Sequence, residues 1–321
     1  MAAPQAEHSK VTAIVVTFNG KAWLDRCFGS LLNSTLPVRV IAVDNGSTDG
    51  TPDLLRDRYP SVELVATGRN LGFGAANNIG MAMALQAGAE HIFLLNQDAW
   101  IRPDTIELLL HAAASGSRFG ILSPIHLNGN GDALDLAFSN YIVPEKCPGL
   151  YSDHITGTRR LIYEAQFVNA AAWLMTRRCL ERVGGFSPTF FHYWEDDNYV
   201  DRLHYHGLAV GVVPGSFIQH DRAARPIDPF MEQVRRHVLL ASDPAADHDL
   251  KAQRNYMLRQ AIGQLLVMDL PAYRRTMRLR NALKDRDAES IRHDRDHTRK
   301  QGTTFLKIPS SAPKAAKETA R

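Results

Sequence analysis

Apolar positions in the first third of the chain fall into short unbroken runs, separated by stretches with helical spacing. Residues 11–18 are apolar and β-branched, which predicts a buried strand. Trp23, Leu24, Cys27, Phe28, Leu31 and Leu32 then recur on one face of a helix. Further runs predict strands at 38–43, 62–66 and 91–95, with helices at 53–58, 75–87 and 104–114 between and after them. Pro103 stands near the start of the last helix, where proline is well tolerated. Strands alternating with helices predict an α/β fold: a Rossmann-like, mostly parallel sheet covered on both faces, with ligands beyond the carboxyl ends of the strands. Those ends carry Thr17-Phe18-Asn19, Asp44-Asn45, Arg69-Asn70 and Asn96-Gln97-Asp98, polar groups expected to gather at one rim.

The pattern changes after Gly120. Residues 128–160 are rich in turn formers and give no assignable element. Beyond them we expect a strand at 165–176, a short helix at 178–183, a break at Gly184-Gly185, a helix at 195–207 and a strand at 208–213. Residues 230–285 read as helical with many arginines, and the Ser, Pro, Ala and Lys content from Gln301 onward predicts a disordered tail.

Bulk properties narrow the class. A chain of 321 residues with 45% hydrophobic and 22% charged residues is ordinary for a globular protein, and a net charge of +3 lacks the basic bias of nucleic-acid binders. Cys27, Cys147 and Cys179 are far apart and odd in number, which argues against a zinc ribbon or disulfide framework and fits a reducing cytoplasm. Residues 1–10 lack the apolar stretch of a signal peptide, and no apolar run approaches the ~20 residues needed to span a bilayer.

Several groups can carry chemistry. Asp98 directly follows an apolar strand, where it either caps a turn or holds a hard cation through oxygen. Asp44 either accepts from a nucleoside or closes an Asx-turn in Asp44-Asn45-Gly46-Ser47, and the two roles are compatible. The glycine-rich loop from Arg69 to Gly74 opens a helix and suits phosphate, but Asn77 stands where a dinucleotide fingerprint needs Gly or Ala, which disfavours a dehydrogenase. In His192-Tyr193-Trp194-Glu195-Asp196-Asp197, three acids follow aromatics: they suit a helix N-terminus, and an acid desolvated there can serve as a general base. His220, at the end of an apolar strand, is a metal or phosphate ligand or, more commonly at such positions, a structural histidine.

Taken in order, these runs resemble the family 2 glycosyltransferases of the GT-A fold, especially bacterial rhamnosyltransferase-like members. The matching pieces are Val15 to Asn19, Val43 to Gly50, Arg69 to Gly80, Leu94 to Asp98, Gly184-Gly185-Phe186 and Glu195-Asp196. The resemblance implies a nucleotide-binding half at 11–120 and an acceptor-binding half at 121–225, preceded by a flexible 1–10 and followed by a helical region at 226–300 and a disordered 301–321. It implies donor-nucleotide contacts from Thr17, Phe18, Asn19, Asp44, Asn45, Arg69, Asn70, Gly74, Asn77, Asn96 and Gln97. It further implies Mg²⁺ or Mn²⁺ at Asp98 and His220, Asp196 as catalytic base beside Glu195, and acceptor contacts from Tyr193 and Trp194. The implied reaction is inverting transfer from a nucleotide-diphosphate sugar, dTDP-rhamnose by closest resemblance, to a glycan or lipid-linked glycan. No nucleic acid is involved, and the arginine-rich helices offer peripheral membrane contact as the alternative to a solvated face. Three positions depart from the family pattern: Asn96 replaces the first acid of the metal-binding element, Asn198 replaces an acid after Glu195-Asp196, and Ser187 replaces Asp after Gly184-Gly185-Phe186. The competing classes are a sugar nucleotidyltransferase, for which Thr17 to Lys21 is a poor phosphate loop, and an inactive glycan-binding protein on the same fold.

Overall fold

The computed structural model describes residues 10–116, 118–222 and 228–307. Its first half is a run of strand–helix units: β1 (Val11–Thr17), α1 (Leu24–Leu32), β2 (Arg39–Asp44), α2 (Thr51–Arg58), β3 (Glu63–Ala66), α3 (Phe73–Gln86) and β4 (His91–Asn96). Strands β3, β2, β1 and β4 lie side by side and parallel. Alternation sorts their side chains between two cores. Ile14, Ile92 and Leu94 face α3, whereas Ala13, Val15, Phe93 and Leu95 face α1. Gly80 lets α3 approach β1 closely, since a Cβ there would meet Ile14 at 2.6 Å.

The second half adds β5 (Ala99–Ile101), α4 (Thr105–Ser115), β6 (Phe119–Asn128), α5 (Leu136–Ser139), α6 (Leu150–Thr156), β7 (Tyr163–Ala165), β8 (Ala172–Thr176), α7 (Arg177–Val183), α8 (Glu195–Tyr205) and β9 (Ala209–His220). The sheet continues past β4 in the order β8, β6, β9, β5, and β7 also pairs with β9. Strand β8 is antiparallel to β4 and β6, while β6 and β9 are parallel with a register shift at Pro124. The single strand expected at 165–176 is two: β7 pairs with β9 and β8 with β4, so the chain crosses between separate places in the sheet through residues 166–171. The segment 128–160 contains α5 and α6, each too short to leave a periodic signature. Strand β6 is also absent from the expectation, because Gly120, Ser123, Pro124 and His126 interrupt its apolar run.

Helices α9 (Pro229–Ser242), α10 (Leu250–Leu266), α11 (Leu270–Ala282) and α12 (Ala288–Thr298) pack around a third, smaller core of Val234, Val238, Leu250, Met257, Leu283 and Ile291. The expected boundary at 225 and 226 lies outside the described residues. So do 1–9 of the N-terminus expected to be flexible, whereas Lys10 is anchored through its carbonyl by the amides of Glu90 and His91. Residues 301–307 of the tail expected to be disordered are packed onto the fold. Leu306 is a member of the main core, and the Gly185 amide donates to the Thr304 carbonyl at 2.7 Å; only 308–321 of that tail lie outside the described residues. One apolar side chain and a glycine pair that admits close backbone approach outweigh the polar composition here. Gly184, at φ +81°, would place a Cβ 2.3 Å from the Thr304 carbonyl oxygen.

Candidate active site

Parallel pairing in register sets Thr17 beside Asp44 at the ends of β1 and β2, and the Thr17 hydroxyl donates to Asp44 Oδ1 at 3.0 Å. Asp44 Oδ2 accepts from the amides of Gly46 and Ser47, so the Asx-turn is formed. Three accepted bonds leave little of this buried carboxylate for a ligand, at most a further lone pair on Oδ1. Asn19, at φ +50°, joins the same loop by accepting from the Thr48 amide, while its own amide donates to Ser47 Oγ. Helix α2 accordingly starts from Gly50, not from Ser47 or Thr48.

Asn45 and Asn70 clip two rim loops together. Asn45 Nδ2 donates to Asn70 Oδ1 at 2.9 Å, and Asn45 Oδ1 accepts from the Leu71 amide at 2.8 Å. Gly46 runs so close to Arg69 that a Cβ would meet its backbone at 2.8 Å, while Arg69 itself is exposed. Gln97 makes a two-way bond with the Phe18 backbone, accepting from its amide and donating to its carbonyl, and leaves the Phe18 side chain exposed. Two expected donor contacts point elsewhere. Asn77 is buried within α3, donating to the Phe73 carbonyl, and Gly74 serves packing, since a Cβ there would meet Phe186 at 2.7 Å.

At the end of β4, Asn96 holds the crossing segment by donating its amide to the Ala171 carbonyl, and its buried Oδ1 has no partner. Antiparallel pairing of β5 with β9 sets Ala99 opposite His220, which brings His220 Nε2 to 3.4 Å from Asp98 Oδ1. His220 Nδ1 lies 3.7 Å from Asp135 Oδ2, and His126 meets its ring edge-on at 6.4 Å. An imidazole between two carboxylates fits a divalent cation: Nε2 faces Asp98, while Nδ1, buried without a hydrogen-bond partner, lies toward the Asp135 carboxylate. Among the described residues no group of three His, Cys, Asp or Glu forms a metal cluster. The protein thus offers Asp98 and His220, and a cation there would complete its shell with water or phosphate oxygens. Asp135, which also caps α5, carried no local sequence signal; only the β6–β9 pairing brings its neighbourhood to His220.

The acids at 195–197 begin α8 after two successive left-handed residues, Tyr193 at φ +67° and Trp194 at φ +71°. Non-glycine residues rarely adopt this conformation, and such strain costs about 1–3 kcal/mol each. The turn buries Glu195, whose Oε2 has no hydrogen-bond partner, and brings Asp196 Oδ2 to 3.4 Å from the Ala170 amide. Ala171 is bonded to Asn96 and its neighbour Ala170 to Asp196, so one short stretch of the crossing segment joins the end of β4 to Asp196. Burial raises all three carboxyls. Repulsion from Asp196 adds to it at Glu195 and Asp197, which rise to about 8, while burial alone holds Asp196 above the usual aspartate range despite accepting from backbone amides. Tyr141, hydrogen-bonded to Arg222, stands near Asp196, and burial pushes its phenol up to about 12. Neither Tyr141 nor Asn169, whose buried Oδ1 is unpartnered, was singled out in the sequence.

Of the expected acceptor residues, Trp194 packs against the helical core with Phe190 and Val234. Tyr193 lines a cavity of about 250 Å³ with Phe191, His192, Arg235 and Arg286. Asn198, one of the departures from the family pattern, is buried between Arg202 and Ser242 and joins α8 to α9. Ser187 is likewise buried, its hydroxyl accepting from the Thr189 amide.

A parallel sheet with polar loops at one rim, extended by a mixed half that brings acids to that rim, defines a GT-A type of fold. Residues 12–184 match the model of glycosyl transferase family 2, and the chain belongs to that family. It is similar to the N-acetylglucosaminyl-diphospho-decaprenol L-rhamnosyltransferase of Mycobacterium tuberculosis, with 32% identity over 238 residues, 65% of this chain and 75% of that one. It is 25% identical over 218 residues to a dTDP-rhamnosyl transferase of Shigella flexneri, covering 66% of this chain and 69% of that one. Among solved structures, Staphylococcus aureus TarS in complex with UDP superposes with a TM-score of 0.53 at 16% identity, covering 75% of this chain and 67% of that one. A Pyrobaculum calidifontis mannosyltransferase in complex with GDP-Man and Mn²⁺ gives 0.52 at 18% identity, covering 89% and 78%. The fold is GT-A, and the protein is a glycosyltransferase.

Proposed function

We propose that the enzyme transfers rhamnose from dTDP-rhamnose, with inversion, to a hydroxyl of a lipid-linked glycan in the assembly of envelope polysaccharide. The observation that carries this reading is the continuity of the rim: Thr17 pairs with Asp44, Val16 with Asn96, Asn96 bonds Ala171, and Ala170 bonds Asp196. The Thr17–Asp44 end, with Asn19, Asn45, Arg69 and Asn70, forms the nucleoside side. Asp98 and His220 would hold Mg²⁺ or Mn²⁺, which when bound supplies positive charge against the leaving diphosphate. Asp196 takes the proton of the acceptor hydroxyl, and its raised affinity for that proton suits a general base. Glu195, kept largely neutral at pH 7 by burial, limits the repulsion Asp196 would feel on ionising. The rhamnosyl donor follows the two named relatives, both rhamnosyltransferases, and the lipid-linked acceptor follows the Mycobacterium tuberculosis one.

The test is a thermal-shift screen of UDP-, dTDP- and GDP-sugars with Mn²⁺, followed by transfer to a polyprenyl-diphosphate-linked N-acetylglucosamine. Selective stabilisation by dTDP-rhamnose and release of dTDP on adding acceptor is the expected result. Preference for another nucleotide sugar overturns the donor, and binding without release in the presence of varied acceptors indicates an inactive glycan-binding relative.

A further inference from the structure

Helices α10 and α11 pack side by side and meet in a closed turn, with the Met268 amide donating to Leu265 and the Asp269 amide to Gln264. The turn is well formed, yet its apolar side chains face outward. Leu266, Val267 and Met268 are 79%, 74% and 77% exposed. Leu258, Ile262 and Leu265 extend this surface back along α10 at spacings that keep to one helix face, and Leu270 continues it into α11. Contiguous exposed apolar surface of this kind marks a contact with a partner or a membrane.

Charge decides between them. Residues 250–282 contain seven basic residues (Lys251, Arg254, Arg259, Arg274, Arg275, Arg278, Arg280) and one acid, Asp269, a balance of 7 − 1 = +6. Arg259, Arg274 and Arg275 are exposed, and none takes part in an ion pair between described residues. At about 1.5 Å rise per residue they stand roughly 10 Å behind the tip. Interfacial segments bury their apolar part about 5–10 Å while basic groups stay at headgroup level, so the spacing matches a bilayer. A second copy of this chain docking on the same face would set like charges against each other.

We propose that the α10–α11 turn is a docking tip for an anionic lipid bilayer: Leu266, Val267 and Met268 enter the headgroup–acyl boundary, and Arg259, Arg274 and Arg275 engage acidic headgroups. This deepens the lipid-linked acceptor reading, but it stands on the surface alone, and its test needs neither donor nor acceptor. The full chain is sedimented with phosphatidylcholine vesicles, with and without phosphatidylglycerol, at low and high salt. Binding is expected with phosphatidylglycerol, weakened by salt. Leu266→Asp with Val267→Asp is expected to weaken it at least tenfold, and Arg274→Ala and Arg275→Ala about fivefold each. These positions are exposed, so unchanged melting temperatures and nucleotide-sugar stabilisation serve as folding controls. Wild-type protein left in the supernatant, or equal binding by the tip variant, overturns the proposal. A dimer dissolved by Leu266→Asp in the absence of vesicle binding would do so as well, assigning the tip to self-association. Vesicle binding by a protein that transfers no sugar would leave the tip standing and remove the proposed reaction.

Discussion

The two sides of the rim are built on opposite principles. On the β1–β2 side nearly every polar group already has a partner: Asp44 accepts three bonds, Asn45 and Asn70 clip neighbouring loops, and Gln97 holds the Phe18 backbone. On the α8 side polar groups are left unpaired. Glu195 Oε2 and Asn169 Oδ1 are buried without partners, three carboxyls are crowded together, and two aromatic residues occupy left-handed backbone. The first arrangement is rigid before any ligand arrives. The second holds carboxyls away from their ordinary protonation state, as the proposed proton transfer to Asp196 requires.

Exchanging charge for a neutral isostere on the strained side is the strongest way to break this contrast. Asp196→Asn is expected to lower transfer by about 10²–10⁴-fold with nucleotide-sugar binding retained, read by steady-state kinetics beside calorimetry. Near wild-type turnover would remove Asp196 from the reaction. Between the two sides, Asp98→Ala is expected to lose more than about tenfold in donor affinity with Mn²⁺ and little without it. Equal metal dependence in the two proteins would move the cation elsewhere.

On the satisfied side the expected cost is in stability. Asn45→Ala leaves the Leu71 amide and Asn70 short of partners, for a loss of about 1–3 kcal/mol in chemical denaturation. A neutral effect would show the clip to be dispensable. The remaining expectation concerns pH. Glu195 and Asp197 bind protons more tightly folded than unfolded, so their contribution to stability is complete below about pH 4 and is lost as pH rises through about 8. The melting temperature of wild type should therefore fall between those limits, and Glu195→Gln should flatten the slope. An unchanged slope would place the unpaired carboxyl elsewhere.

The same contrast explains what could be read from the chain. Strands β1, β2 and β4 are uninterrupted apolar runs because both faces are covered, so the acids at their ends were legible as a rim. Strand β6 hid behind Pro124, which stands at a register shift in the β6–β9 pairing, and His126, whose imidazole meets Ser123 and Phe138 inside the fold. Gly74 ends a loop with the right composition for phosphate and Asn77 follows it, yet both lie in α3, Gly74 packed against Phe186 and Asn77 bonded to the Phe73 carbonyl. The left-handed turn at Tyr193 and Trp194 has no local signature, since aromatics do not favour it and tertiary packing imposes it. Asp135 reaches His220 only through the pairing of distant strands.

The packing of Leu306 and Thr304 against Gly184-Gly185 bears on the order of events during synthesis. Asn78, from α3, bonds both the amide and the carbonyl of Phe186, so the backbone beneath this strap links the two halves of the sheet domain. The ribosome must release more than a hundred residues after Phe186 before the strap can close over it. The parallel half can assemble as it emerges. The Gly184–Phe186 backbone that leads into α8 therefore stays uncovered until residue 306 has emerged, long after the parallel half has been made.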